Sequence, residues 1–108
     1  MSEKKTIALT TENFEREVLT SQVPVLVDFW ADWCAPCRAV GPLVEALASE
    51  FDGRAIVGKV DVDAQPDLAR RYDVRSIPSM LIFRDGEITQ RVVGLVPKKR
   101  LADALEAA

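Results

Sequence analysis

The chain has 108 residues, 48% of them hydrophobic and 29% charged, with a net charge of −3. That size and balance fit one domain over residues 1–108 and exclude disordered, collagen-like and coiled-coil architectures. With no histidine there is no imidazole base or histidine-ligated metal, two cysteines cannot make a four-thiolate zinc site, and an acidic chain without a dense basic face is a poor match for nucleic acid.

Thr6-Ile7-Ala8-Leu9 predicts a short first strand. Thr10 or Thr11 is placed to cap a helix over Glu12 to Thr20, with Phe14 and Val18 on one face. Val25 to Trp30 is apolar on both alternating faces, as in a central parallel strand covered on both sides. From about Cys34 to Glu50 the apolar residues Val40, Leu43, Val44 and Leu47, followed by Phe51, recur at threes and fours, which predicts a helix kinked by Pro42. Ala55 to Val62 is the next strand, and Pro66 opens a short helix through Tyr72. Met80 to Phe83 and Ile88 to Val93 flank Asp85-Gly86, a hairpin signal. Pro97 suits the first turn of a last helix running to about Glu106. The order β-α-β-α-β-α-β-β-α specifies an α/β fold, a mixed five-stranded sheet flanked by four helices.

The segment Met1 to Lys5 is polar and leads into no apolar stretch suited to export, and the longest apolar runs are far too short to span a bilayer. The cytosol is therefore the expected location. Structural disulfides do not persist there, so a close cysteine pair points to catalysis or metal binding.

Cys34-Ala35-Pro36-Cys37 follows a buried strand and opens a helix. Side chains three apart share a helical face, with Cβ atoms roughly 5–6 Å apart, close enough for a small local change to join the sulfurs. Cys34 lies at the helix start, where unpaired N–H groups favour a thiolate, and Arg38 adds positive charge nearby. Cys37 lies one turn inward and is expected to be more buried. Cys34 thus reads as the attacking thiolate and Cys37 as the resolving thiol. A pair of inert core thiols and a two-thiolate metal clamp are the alternatives, the clamp crowded by Pro36 and the helix.

Asp28 interrupts an otherwise apolar strand. Burial of a carboxylate raises its pKa, and a carboxyl that titrates near neutrality can exchange a proton with a thiol. In a chain without histidine, Asp28 is the leading candidate for a base on Cys37, acting through a water. Asp61-Val62-Asp63 reads as a solvated strand end, and Lys98-Lys99-Arg100 as a solvated helix start.

Val25 to Ala31, Trp33 to Cys37, the internal Pro42, Ile77-Pro78-Ser79, Phe83 to Gly86 and Val93-Gly94 stand in the order and spacing of a known family. Over nearly all its length the chain resembles the thioredoxin family. Departures are Ala35 where the family usually has glycine, Ser76 where glycine is common, and Ser79 where threonine is common. The resemblance implies a thioredoxin fold and a monomeric protein-disulfide reductase that keeps cytosolic thiols reduced. No bound cofactor is implied; the Cys34–Cys37 disulfide would be recharged by an NADPH-dependent thioredoxin reductase. Ribonucleotide reductase, peroxiredoxins and methionine sulfoxide reductases are the implied kinds of substrate, with neither nucleic acid nor membrane as a partner. Carried over residue by residue, the resemblance makes Lys59 the charge partner of Asp28 and Pro78 a cis-proline beside the disulfide. It makes Trp33, Ala35, Pro36, Ile77, Pro78, Val93 and Gly94 the substrate-contacting surface, with the Ile77 backbone pairing an extended substrate segment. Disulfide-forming oxidases and isomerases are rivals within the same chemistry, but they usually carry a histidine between the cysteines and an export signal. A redox-independent interaction module is the rival of another class.

Overall fold

The structure, a computed structural model, describes residues 5–108; the polar segment before Lys5 lies outside the described residues. Five strands, β1 (Ile7–Ala8), β2 (Val25–Trp30), β3 (Ile56–Asp61), β4 (Ser79–Arg84) and β5 (Glu87–Val93), form one sheet in the order β1-β3-β2-β4-β5. Three α-helices, α1 (Ala35–Glu50), α2 (Pro66–Arg71) and α3 (Lys98–Ala107), and a short wide helical segment, Glu15–Leu19, flank it.

The wide segment is shorter than the helix expected over Glu12 to Thr20, for a local reason. Its start is fixed by Thr10 and Asn13, each of whose side chains accepts from the other's backbone N–H, at 3.3 and 2.8 Å. At its end the Thr20 N–H passes over the Arg16 carbonyl and bonds Glu15 O at 3.0 Å, while the Thr20 hydroxyl donates to Arg16 O at 3.0 Å. The hydroxyl satisfies the carbonyl that the backbone skips, so the last turn widens.

β2 is central, as its two apolar faces require, but its neighbours differ. It runs parallel to β3 and antiparallel to β4. Val25, Val27 and Phe29 pack on one side with Phe14, Val18, Leu68 and Phe83, while Leu26 faces α1 and α3 on the other. On the first side, edge-to-face contacts join Phe83 to Phe14 and to Tyr72, with ring centroids 5.8 and 5.4 Å apart. The β4–β5 hairpin turns at Asp85 and Gly86, both with positive φ, the geometry that matches the strand twist.

α1 begins at Cys34, which caps it, and continues through Pro42 to Glu50, burying Val40, Val44, Leu47 and Ala48 against the sheet. α3 starts one residue later than expected, because Pro97 is its extended cap residue (ψ 151°). Register brings the ends of β2, β3 and β5 and the start of β4 to one end of the sheet: Trp30 opposes Asp61, Phe29 opposes Ser79, and Ser79 opposes Val93. The cap of α1 lies at that end.

Candidate functional site

Cys34 and Cys37 are joined as a disulfide at the first turn of α1, with Cα atoms 5.2 Å apart. The Cys37 N–H donates to Cys34 Sγ at 3.2 Å, so a free helix-start donor is aimed at that sulfur. Pro36 lacks an N–H only where none is needed. Burial does not separate the two cysteines as the sequence suggests, since they are 5% and 3% exposed. Their surroundings do. Cys34 Sγ lies 3.7 Å from the Ile77 carbonyl oxygen, and the exposed Ala35 and Pro36 open α1 directly after it. Cys37 borders a cleft of about 660 Å³ on the α1 side, lined also by Trp30, Arg38, Pro42, Glu45 and Lys59.

The loop before α1 is tied down by backbone and side chains together. Cys34 N–H donates to Ala31 O at 3.2 Å, and Arg38 reaches back to donate to Asp32 O at 2.6 Å. Trp33 is 68% exposed, yet its indole N–H donates to Asp63 at 2.9 Å. Asp61 in turn accepts from the Asp63 N–H at 2.9 Å. These two carboxylates are therefore not simply a solvated strand end: one holds the exposed Trp33 indole and the other holds the turn that carries Asp63. Sequence reasoning passed over Asp63, because nothing local links it to Trp33.

Ile77–Pro78 is a cis peptide, and the Pro78 carbonyl accepts from Gly94 N–H at 2.8 Å. That bond joins the start of β4 to the end of β5. The Ser79 hydroxyl donates to Ser76 O at 2.6 Å and closes the loop between them. Gly94 has φ +92°, a conformation that L side chains rarely adopt, and the space where a Cβ would stand is open. Ile77 is half-buried and Pro78 buried, while Val93 and Leu95 are each 57% exposed. Trp33, Val93 and Leu95 are the exposed large hydrophobic residues among those described. Leu95 was not anticipated, although its place in the short segment between Gly94 and Pro97 was a usable signal.

Asp28 is 0% exposed, and neither carboxylate oxygen has a hydrogen-bond partner among the described residues. It shares the α1 side of β2 with Leu26 and Trp30. Burial pushes its pKa from 3.8 to about 7; Lys59 opposes that rise and Glu45 adds to it. Lys59 stands opposite Asp28 in the β2–β3 register, but its ammonium pairs with Glu45, at 3.8 Å, and lies 4.8 Å from the centre of the Trp30 ring. Glu45 also accepts from the Thr6 hydroxyl, at 3.1 and 3.2 Å. Glu45 is a further residue the sequence reading missed. It sits on the polar flank of an amphipathic helix, where an acidic residue is ordinary.

The arrangement sets the Cys34–Cys37 disulfide at the same end of the sheet as an apolar rim, with a buried acid of neutral-range pKa on the α1 side of β2. Among the described residues no three His, Cys, Asp or Glu side chains gather to hold a metal ion, and no helix is long and apolar enough to cross a membrane.

Comparison with known proteins agrees with this chemistry. The family model described as Thioredoxin matches residues 5–107. The chain is 45% identical over 97 residues to the thioredoxin of Chlorobaculum thiosulfatiphilum, covering 90% of each chain. It is 48% identical over 99 residues to thioredoxin 1 of Synechococcus elongatus, covering 92% of each. With thioredoxin C-2 of Corynebacterium nephridii it shares 49% identity over 93 residues, 86% of each chain.

Proposed function

The chain belongs to the thioredoxin family of disulfide oxidoreductases, and on that premise we propose how its residues divide the work. Cys34 thiolate attacks a substrate disulfide, forming a Cys34–substrate mixed disulfide and releasing the first substrate sulfur. Cys37 then loses its proton to the Asp28 carboxylate through water in the cleft. The Cys37 thiolate attacks Cys34 Sγ, the Cys34–substrate bond breaks, and the second substrate sulfur leaves as a thiol after taking up a proton. Two electrons have passed from the dithiol to the substrate, and the Cys34–Cys37 disulfide remains. Supporting this order are the Cys37 N–H aimed at Cys34 Sγ and the Asp28 carboxyl, buried on the α1 side of β2 without a hydrogen-bond partner among the described residues.

Trp33, Ala35, Pro36, Ile77, Pro78, Val93 and Gly94 receive the substrate, the apolar members covering it and the Ile77 backbone pairing an extended segment by strand addition. The open space over Gly94 supports that reading. Lys59 serves Asp28 as a charge partner at the distance of one register pair, shared with Glu45.

Family members work with a thioredoxin reductase and with disulfide-bearing proteins, and carry a redox-active disulfide rather than a cofactor. For this chain the finer reading is a single-domain monomer in the cytosol. An NADPH-dependent reductase recharges it, and it supplies electrons to ribonucleotide reductase, peroxiredoxins and methionine sulfoxide reductases. The disulfide at the capped start of α1 is the observation that carries the reading. Equilibration with glutathione redox buffers, with thiols counted by alkylation and mass, tests it. A reductase keeps its disulfide until the buffer is strongly reducing. Loss of the disulfide in oxidising buffer would promote the oxidase rival.

A further inference from the structure

Lys59 has two carboxylates within its reach, and the one it touches is not the one its strand register offers. Asp28 is its direct neighbour across β2 and β3. Its ammonium nevertheless pairs with Glu45 of α1 at 3.8 Å. Glu45 does not hold this place by chance of a free rotamer. The Thr6 hydroxyl donates to it at 3.1 and 3.2 Å, and the Trp30 ring lies under the Lys59 ammonium at 4.8 Å. The tether thus draws on the segment before β1, on α1, on β3 and on the end of β2.

Other charged groups on this side have partners of their own: Asp61 of β3 accepts from the Asp63 N–H at 2.9 Å. Arg38 of α1 donates to the Asp32 carbonyl at 2.6 Å, and Lys5 pairs with Asp52 at 3.5 Å. β4 offers only Met80 opposite Asp28. Burial is the largest influence on Asp28, and among the described groups Lys59 and Glu45 are the charges that act on it.

We infer that Glu45 is a positioning residue for the dithiol chemistry: anchored by Thr6, it draws the Lys59 ammonium away from Asp28 and keeps the buried carboxyl able to take and return the Cys37 proton. This rests on Asp28 acting on Cys37. A carboxyl paired directly with an ammonium is ionised at every working pH and is too weak a base for a thiol. One with no counter-charge at all stays protonated. Sharing Lys59 between two carboxylates, one across the strand register and one in ion-pair contact, gives the intermediate case.

The test reads Asp28 directly and through the reaction. Carbon-13 carboxyl shifts follow its titration in the oxidised protein, and the pH profile of mixed-disulfide resolution follows its action. Glu45→Gln keeps an oxygen for Thr6 and removes the charge. It is expected to lower the Asp28 titration by about half a unit or more and to move the acid limb of the resolution rate down with it. On that limb the variant would be about threefold faster than the parent at the same pH. In a Lys59→Met background the same substitution should produce less than half that shift. Three results overturn the inference. If Glu45→Gln moves neither the titration nor the limb, Glu45 does not control Asp28. If its shift is undiminished in Lys59→Met, Glu45 acts on Asp28 directly and positions nothing. If the titration moves while the rate limb stays, Asp28 is not the base, and the assignment proposed above falls as well.

Discussion

Removing the Asp28 carboxyl should make the protein more stable, by an amount that grows with pH. The group is buried, both oxygens lack partners among the described residues, and burial lifts its pKa from 3.8 to about 7. At 1.36 kcal/mol per pH unit, ionising it inside the fold costs ~4 kcal/mol relative to the unfolded chain. The sign follows from proton counts. Between pH 3.8 and 7 the folded chain holds a proton that the unfolded chain has lost, so stability falls as pH rises through this range. The cost is absent below the lower value and complete above the upper one. Asp28→Ala abolishes it. Denaturant titrations of the oxidised proteins should show the variant gaining on the parent by roughly 3 kcal/mol between pH 5 and pH 9. The comparison across pH isolates the charge, because the methyl-for-carboxyl change in packing is the same at both ends. A stability difference that stays flat from pH 5 to pH 9 would refute the reasoning, since it would mean that the carboxyl is either hydrated or paired in the folded chain.

Cys37→Ser should halt the reaction at the mixed disulfide, which mass spectrometry would detect as a covalent Cys34–substrate adduct; release at the parent rate would remove Cys37 from the resolving step. Lys59→Met takes away the cation that opposes the rise of the Asp28 pKa, so the acid limb of mixed-disulfide resolution should move to higher pH, read by stopped-flow kinetics from pH 5 to pH 9. Asp63→Ala breaks the bond that holds the exposed Trp33 indole. It should raise KM for protein disulfides severalfold, leave reduction of a small aromatic disulfide nearly unchanged, and alter tryptophan fluorescence. Leu47→Ala opens a void in the core under α1, where Leu47 is fully buried, and should cost about 3 kcal/mol in denaturant unfolding at every pH.

Much of the molecule was legible along the chain because local rules decide it. The capped start of α1, the i,i+3 cysteines, the Asp85-Gly86 turn and the two-sided apolar run of β2 each depend on neighbours a few residues away. The same rules located Asp28, since a carboxylate inside an apolar strand is conspicuous. They could not say that Lys59 would turn to Glu45, that Thr6 would hold Glu45, or that Asp63 would take the Trp33 indole. They also could not place β4 antiparallel on one side of β2 with β3 parallel on the other. Each of these joins residues far apart in sequence, and side chains at such separations meet only after the sheet order and register are set. The sequence therefore determined the redox pair, its helix and the acid beside it. The tertiary structure decided which charges share that acid, because packing β1, β3 and α1 around β2 sets the distances on which their interaction depends.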